Sequence, residues 1–164
     1  MIDSPQITET DGQLIAVIYL TVPRSEIRKV MQPGRRELMA TIAAQGIAPA
    51  GPWFTHHLRI DPESFDFQIG VPVTAPVAAA GRVKPAQRPA MRVARTIYHG
   101  PYEGLGAAWE EFDAWIAARG HKPAVDLWEC YASGPESSPD PANWRTELDR
   151  PLMGESRWSA RNQS

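Results

Sequence analysis

Cysteine is almost missing from this sequence: its 164 residues hold one, Cys130. A single thiol excludes an internal disulfide framework and a cysteine-rich zinc site. An excess of one charge is missing too, with 17 Lys and Arg against 19 Asp and Glu. Phosphate binding needs a basic face, so no nucleic-acid partner is expected. The longest apolar run, Leu14 to Leu20, is far short of the roughly 18 residues that span a bilayer, and no membrane partner is expected. Met1-Ile-Asp-Ser-Pro5 begins with no basic region and no apolar stretch behind it. No secretory signal is read there, and a cytoplasmic location is expected. Phosphate loops, dinucleotide fingerprints and nucleophile elbows are absent; Gly104-Leu-Gly106 lacks a third glycine and the preceding context. No cofactor is expected.

Proline and tryptophan are plentiful instead. Sixteen prolines are about twice the ordinary share of roughly 5%, and they punctuate rather than cluster, which marks many short elements. Six tryptophans are many for a chain this size. Their flat rigid surfaces serve cores and pockets for planar or cationic ligands. With 43% hydrophobic residues the chain has ample material for a core, and its length suits one domain or two small fused units.

Residues 15–20 read as a strand ended by Pro23. A loose turn then leads to a helix from about Pro33 to Gln45, stopped by Gly46. Residues 53–60 and 65–73 read as two strands joined at Asp61-Pro62, and the proline-spaced stretch 72–89 reads as a linker. The cycle then restarts. Residues 91–98 form a strand and 102–119 an amphipathic helix, with Leu105, Ala108, Trp109, Phe112, Trp115 and Ile116 on one face. Gly120 stops that helix. Strands follow at 126–132 and 144–149, separated by a proline-rich loop at 133–143, and 157–164 reads as a frayed tail.

The letters themselves repeat. Ile42-Ala-Ala-Gln-Gly-Ile-Ala-Pro49 matches Ile116-Ala-Ala-Arg-Gly-His-Lys-Pro123 at an offset of 74, and Phe65–Pro72 answers Trp144–Pro151 at an offset of 79. The expected fold is therefore α+β: two pseudo-symmetric strand–helix–strand–strand halves, about 13–73 and 91–152, in a single domain spanning 1–164. Neither half covers its sheet alone, which predicts one shared curved antiparallel sheet with two main helices. Where two such halves meet, a central groove for a ligand is expected.

With Gly46-Ile-Ala-Pro-Ala-Gly51, Phe65–Val73, His99-Gly-Pro-Tyr102, Trp128-Glu-Cys-Tyr131 and Thr146–Leu152 in this order, the chain resembles the GyrI-like small-molecule-binding domain, also called the AraC-type effector-binding domain. That resemblance implies an aromatic-lined groove for lipophilic, often cationic, aromatic compounds, with an acidic residue of a second-half strand at its base. The Glu-x-Tyr pattern puts that acid on Glu129, with Tyr131 beside it. Some stand-alone relatives hydrolyse the cyclopropane ring of DNA-alkylating natural products in an aromatic cage; others are associated with gyrase and toxin antagonism. Unlike the family's regulators, this sequence carries no helix-turn-helix. The expected function is binding of hydrophobic, aromatic, including cationic, small molecules. The alternatives are a cyclopropane-opening hydrolase and a protein-binding inhibitor; no feature of the residues supports a protein partner.

Glu129 is flanked by apolar side chains, and a carboxylate there costs several kcal/mol unless it is paired or protonated. It is a candidate counter-charge for a cation, or an acid–base group. Tyr131 shares its strand face by alternation, while Cys130 points the other way as a small buried hydrophobe. Through the repeat, Glu129 corresponds to Thr55 and Tyr131 to His57, so Trp53, Thr55 and His57 are expected to face the groove from the first half. His56 and His57 point to opposite faces of a strand, and no metal site is expected. Trp109 is the helix aromatic nearest the groove mouth. At the strand-to-helix turn, Tyr102 is the candidate pocket residue and His99 the turn-fixing one. Trp144 and Glu147 lie on opposite faces of the last strand, so one of them faces the groove; the family placement of Thr-Glu-Leu favours Glu147. If the protein is an enzyme, Glu129 and Tyr131 are the catalytic candidates.

Overall fold

The computed structural model describes residues 1–135 and 137–153; the tail read at 157–164 lies outside them. In chain order the elements are β1 (Gln6–Thr10), β2 (Gln13–Pro23), α1 (Ile27–Ala44), β3 (Phe54–Ile60), β4 (Ser64–Pro72), β5 (Val83–Arg88), β6 (Met91–His99), α2 (Leu105–Ala118), β7 (Leu127–Ser133) and β8 (Arg145–Pro151). The strand pairings are antiparallel and the fold is α+β. Two compact units divide it, one of residues 12–89 and one of residues 1–11 with 90 onward.

In the unit of residues 12–89 the strands run β3-β4-β2-β5. Phe67, Ile69 and Val71 alternate onto one face of β4 and are fully buried. α1 buries Gly34, Leu38 and Ile42, spaced four apart along one stripe. Gly34 permits the close approach: a Cβ there would lie 2.6 Å from Ile69 Cδ1. α1 starts at Ile27, not Pro33, and runs through Pro33. Proline inside a helix costs about 3 kcal/mol, and here the buried stripe that follows offsets it.

In the other unit the order is β1-β6-β8-β7. Its core joins Ala94 and Tyr98 of β6, Leu127 of β7 and Leu148 of β8 to Ala108, Trp109, Phe112 and Ile116 of α2. Leu105 and Trp115 pack at its margin, so the helix stripe read from periodicity is the buried one.

The pseudo-symmetry extends to single hydrogen bonds. After each helix a glycine takes positive φ, 70° at Gly46 and 78° at Gly120. The next N–H then reaches back five residues, Ile47 to Ile42 O at 3.0 Å and His121 to Ile116 O at 3.2 Å. Pro49 bridges Val73, and Pro123 bridges Leu152. The offset falls from 78 at the 3₁₀ turns before the helices (Arg24–Glu26, Tyr102–Gly104) to 74 at the helix ends, because α1 has 18 residues and α2 has 14.

Two strands differ from the sequence expectation. The stretch read as a linker contains β5, which pairs with β2 and sets Pro85 opposite Ala16. Proline is tolerated there because an edge strand needs hydrogen bonds on one side only. β1, too polar to show alternation, pairs with β6 and so belongs to the unit of residues 90 onward.

Candidate functional site

Glu129 is placed by the register of β7 against β8, which sets it opposite Leu148 and sets Tyr131 opposite Thr146. Leu148 is a core residue under α2, so Glu129 and Tyr131 project on the helix side. There the carboxylate is held at both oxygens. Trp109 Nε1–H of α2 donates to Oε2 at 2.7 Å, and the Tyr131 hydroxyl donates to Oε1 at 2.9 Å. Both donors are neutral, and among the described residues no Lys or Arg forms a salt bridge with Glu129. The carboxylate is half-buried, whereas Trp109 and Tyr131 are buried. Hydrogen bonds of this kind offset part of the cost of taking a carboxylate from water.

An aromatic wall stands beside it. Tyr102 meets the Tyr131 ring edge-on at 5.7 Å and the Trp144 ring at 5.2 Å, and Trp109 contacts Phe112 at 5.7 Å. The strand-to-helix turn that delivers Tyr102 is fixed by Tyr98, not His99. The Tyr98 hydroxyl donates to Pro101 O at 2.7 Å, and a Cβ on Gly104 would run into the Tyr98 hydroxyl oxygen. Burial pushes the Tyr98 hydroxyl above its ordinary pKa and keeps it a donor. His99 lies 3.0 Å from the Asp3 carboxylate instead.

Glu147 is not brought to Glu129. It sits opposite Cys130, on the other face of β8, with its carboxylate 3.4 Å from Arg95 Nε. On that face Cys130, Glu147 and Asp149 bring ligand atoms within 4.8 Å of one another, and Arg95 already supplies a cation by a two-pronged pair with Asp149. Trp144 is the residue that joins the Tyr102–Tyr131 side. Alternation groups it with Thr146 and Leu148, and the register against β7 brings that face to Glu129 and Tyr131. Thr146 was missed altogether: it is fully buried opposite Tyr131, and its hydroxyl has no hydrogen-bond partner among the described residues.

Trp53, Thr55 and His57 belong to the unit of residues 12–89. Thr55 and His57 pair with Ile69 and Phe67, on the face turned to α1. Thr55 is fully buried. His57 stacks on Phe67 at 5.3 Å and meets Phe65 edge-on at 5.5 Å. The Arg35 guanidinium lies over the Trp53 ring, 5.6 Å from its centroid.

Residues 3–152 match the family model of the GyrI-like small molecule binding domain. The chain belongs to the GyrI-like family. Among solved structures it is similar to the EcmrR C-terminal domain, at 21% identity and TM-score 0.80, covering 92% of this chain and 97% of that one. It spans 57% of the EcmrR chain in an EcmrR–DNA complex. It is also similar to SAV2435 bound to tetraphenylphosphonium (14% identity, TM-score 0.66, 93% and 95% covered) and to a hydrolase from Listeria innocua (12%, 0.64, 91% and 91%). These identities speak for a shared GyrI-like fold and leave the ligand to be argued from the residues. No curated protein matches the sequence. Among the described residues no helix is long and apolar enough to cross a membrane.

Proposed function

We propose that this GyrI-like protein binds lipophilic cationic aromatic small molecules at Glu129. The observation that carries the reading is a half-buried carboxylate whose two oxygens take neutral donors, beside the rings of Tyr131, Tyr102 and Trp144. A delocalised cation that leaves water next to this group gains charge attraction and about 0.5–2 kcal/mol from each aromatic face it covers. The tetraphenylphosphonium complex of the structurally similar SAV2435 supports the same ligand class.

Titration with tetraphenylphosphonium, followed by calorimetry, tests this. Glu129→Gln keeps the shape and removes the charge. It is expected to weaken tetraphenylphosphonium by about tenfold or more, equivalent to about 1.4 kcal/mol, while sparing neutral triphenylphosphine oxide. Equal weakening of both ligands refutes the counter-charge role.

The Tyr131–Glu129 hydrogen bond favours a second reading, hydrolysis of a cyclopropane conjugated to a dienone. Glu129 would align the attacking water while the aromatic residues orient the substrate. Water oxygen bonds to the ring carbon, the strained C–C bond breaks, and the proton ends on the former carbonyl oxygen as a phenol. Ring-opened product in molar excess over protein, lost in Glu129→Gln, is the expected mass-spectrometric result; stoichiometric binding with the ring intact leaves the binding protein as the better account.

A further inference from the structure

The Glu129 cluster has a position-for-position counterpart within the unit of residues 12–89, and its charge is inverted. At the helix offset of 74, Trp109 corresponds to Arg35, Glu129 to Thr55 and Tyr131 to His57. At the offset of 78 for the turn before the helix, Tyr102 corresponds to Arg24, and at 79 Trp144 corresponds to Phe65. One contact follows these equivalences on both sides. Where Tyr102 meets Trp144, Arg24 lies over Phe65 at 4.5 Å. Phe65 also meets His57, the equivalent of Tyr131, edge-on. Trp109 reaches from its helix to the strand carboxylate; Arg35 reaches from its helix to Trp53 at the start of the equivalent strand. One carboxylate has been replaced by a threonine, and two aromatic residues by guanidinium groups.

Arg35 is half-buried, and its Nε–H is buried with no hydrogen-bond acceptor among the described residues. Nearby helix acids are engaged elsewhere, Glu37 by Arg82 at 2.7 Å and Glu26 by Lys29 at 3.1 Å. Asp66 lies on the opposite face of the sheet, paired with Arg59 at 3.1 Å. A guanidinium with an unfilled donor, resting on an indole, suits a carboxylate or sulfonate attached to a flat aromatic ring system. Its oxygens match the arginine fork, and its ring takes the contact that the guanidinium now makes with Trp53.

We propose that the α1 face of this unit is a second small-molecule site, selective for planar aromatic anions, built around Arg35 with Arg24 as the outer cation. The inference rests on the reading of the Glu129 cluster as a ligand site only through the equivalence of positions. Naphthalene-2-sulfonate and tetraphenylphosphonium are the probes, titrated calorimetrically into wild type, Arg35→Gln, Arg35→Lys and Glu129→Gln. Arg35→Gln is expected to weaken the sulfonate at least about tenfold and to leave tetraphenylphosphonium unchanged. Arg35→Lys keeps the charge but not the fork, so it should fall between. Glu129→Gln should leave the sulfonate unaffected, and methanesulfonate, which has no ring, should bind far more weakly than the naphthalene compound.

If Arg35→Gln fails to fold, indole resonances of the wild-type protein replace it: the Trp53 N–H should shift with the sulfonate and the Trp109 N–H with tetraphenylphosphonium. No sulfonate binding, equal binding by wild type and Arg35→Gln, or one shared site lost in Glu129→Gln would each overturn the proposal. A protein that binds the sulfonate but not tetraphenylphosphonium keeps this site and removes the reading of the other.

Discussion

Phe112→Ala is expected to cost about 3–5 kcal/mol of folding stability, a large part of the roughly 5–15 kcal/mol that holds a domain together. Phe112 is fully buried in the α2 core with Ile116 and Leu148, so truncation loses the burial of its ring and leaves a cavity. The effect reaches the site, because Phe112 packs against Trp109 and Trp109 holds Glu129. Urea unfolding should show a lower midpoint at an unchanged slope. Glu110→Ala, one exposed residue on the same helix, should stay within about 0.5 kcal/mol of wild type. A loss below about 1 kcal/mol for Phe112→Ala would mean that α2 does not pack as described.

A loss of similar size is expected for Arg95→Met. Asp149 is fully buried and accepts from Arg95 Nε at 2.7 Å and from Nη2 at 2.9 Å, with Glu147 3.4 Å away. The Asp149 hydrogen bonds hold the guanidinium still further above its already high pKa, so it stays charged across the working pH range. Removing it leaves a buried carboxylate without its principal cation, which costs about 3–5 kcal/mol. The double variant Arg95→Met/Asp149→Leu also removes the stranded charge and should recover most of that loss, since a buried pair and an apolar replacement of similar volume are often of equal stability. Thermal and urea unfolding of the four proteins in the cycle would check this. A double variant no more stable than Arg95→Met would show that the pair matters for some reason other than buried charge.

The candidate site was legible where one strand's alternation sufficed. Leu127, Glu129 and Tyr131 share a face, Cys130 takes the other, and the structure has them so. The same rule separates Trp144 from Glu147, but it does not say which of them lies on Glu129's side. That depends on the register of β8 against β7, which pairs Glu129 with Leu148 and Cys130 with Glu147. The preference for Glu147 chose the wrong side of this register, and Arg95 is what meets Glu147 there.

From the sequence by itself came the antiparallel α+β class, both helix stops, the buried stripe of α2 and the duplicated order of elements. These are local properties: glycine's positive φ, 3.6-residue periodicity and proline's missing N–H act within a few residues of where they are written. Tertiary structure alone decided that polar Gln6–Thr10 and proline-bearing Val83–Arg88 are strands, because an edge strand is stabilised by the backbone it joins and needs little pattern of its own. It also decided that the Trp109 indole holds Glu129, and that Arg35 covers Trp53. Such partners are many residues apart in the chain, and their meeting depends on how a helix settles on its sheet, which no single element's pattern contains.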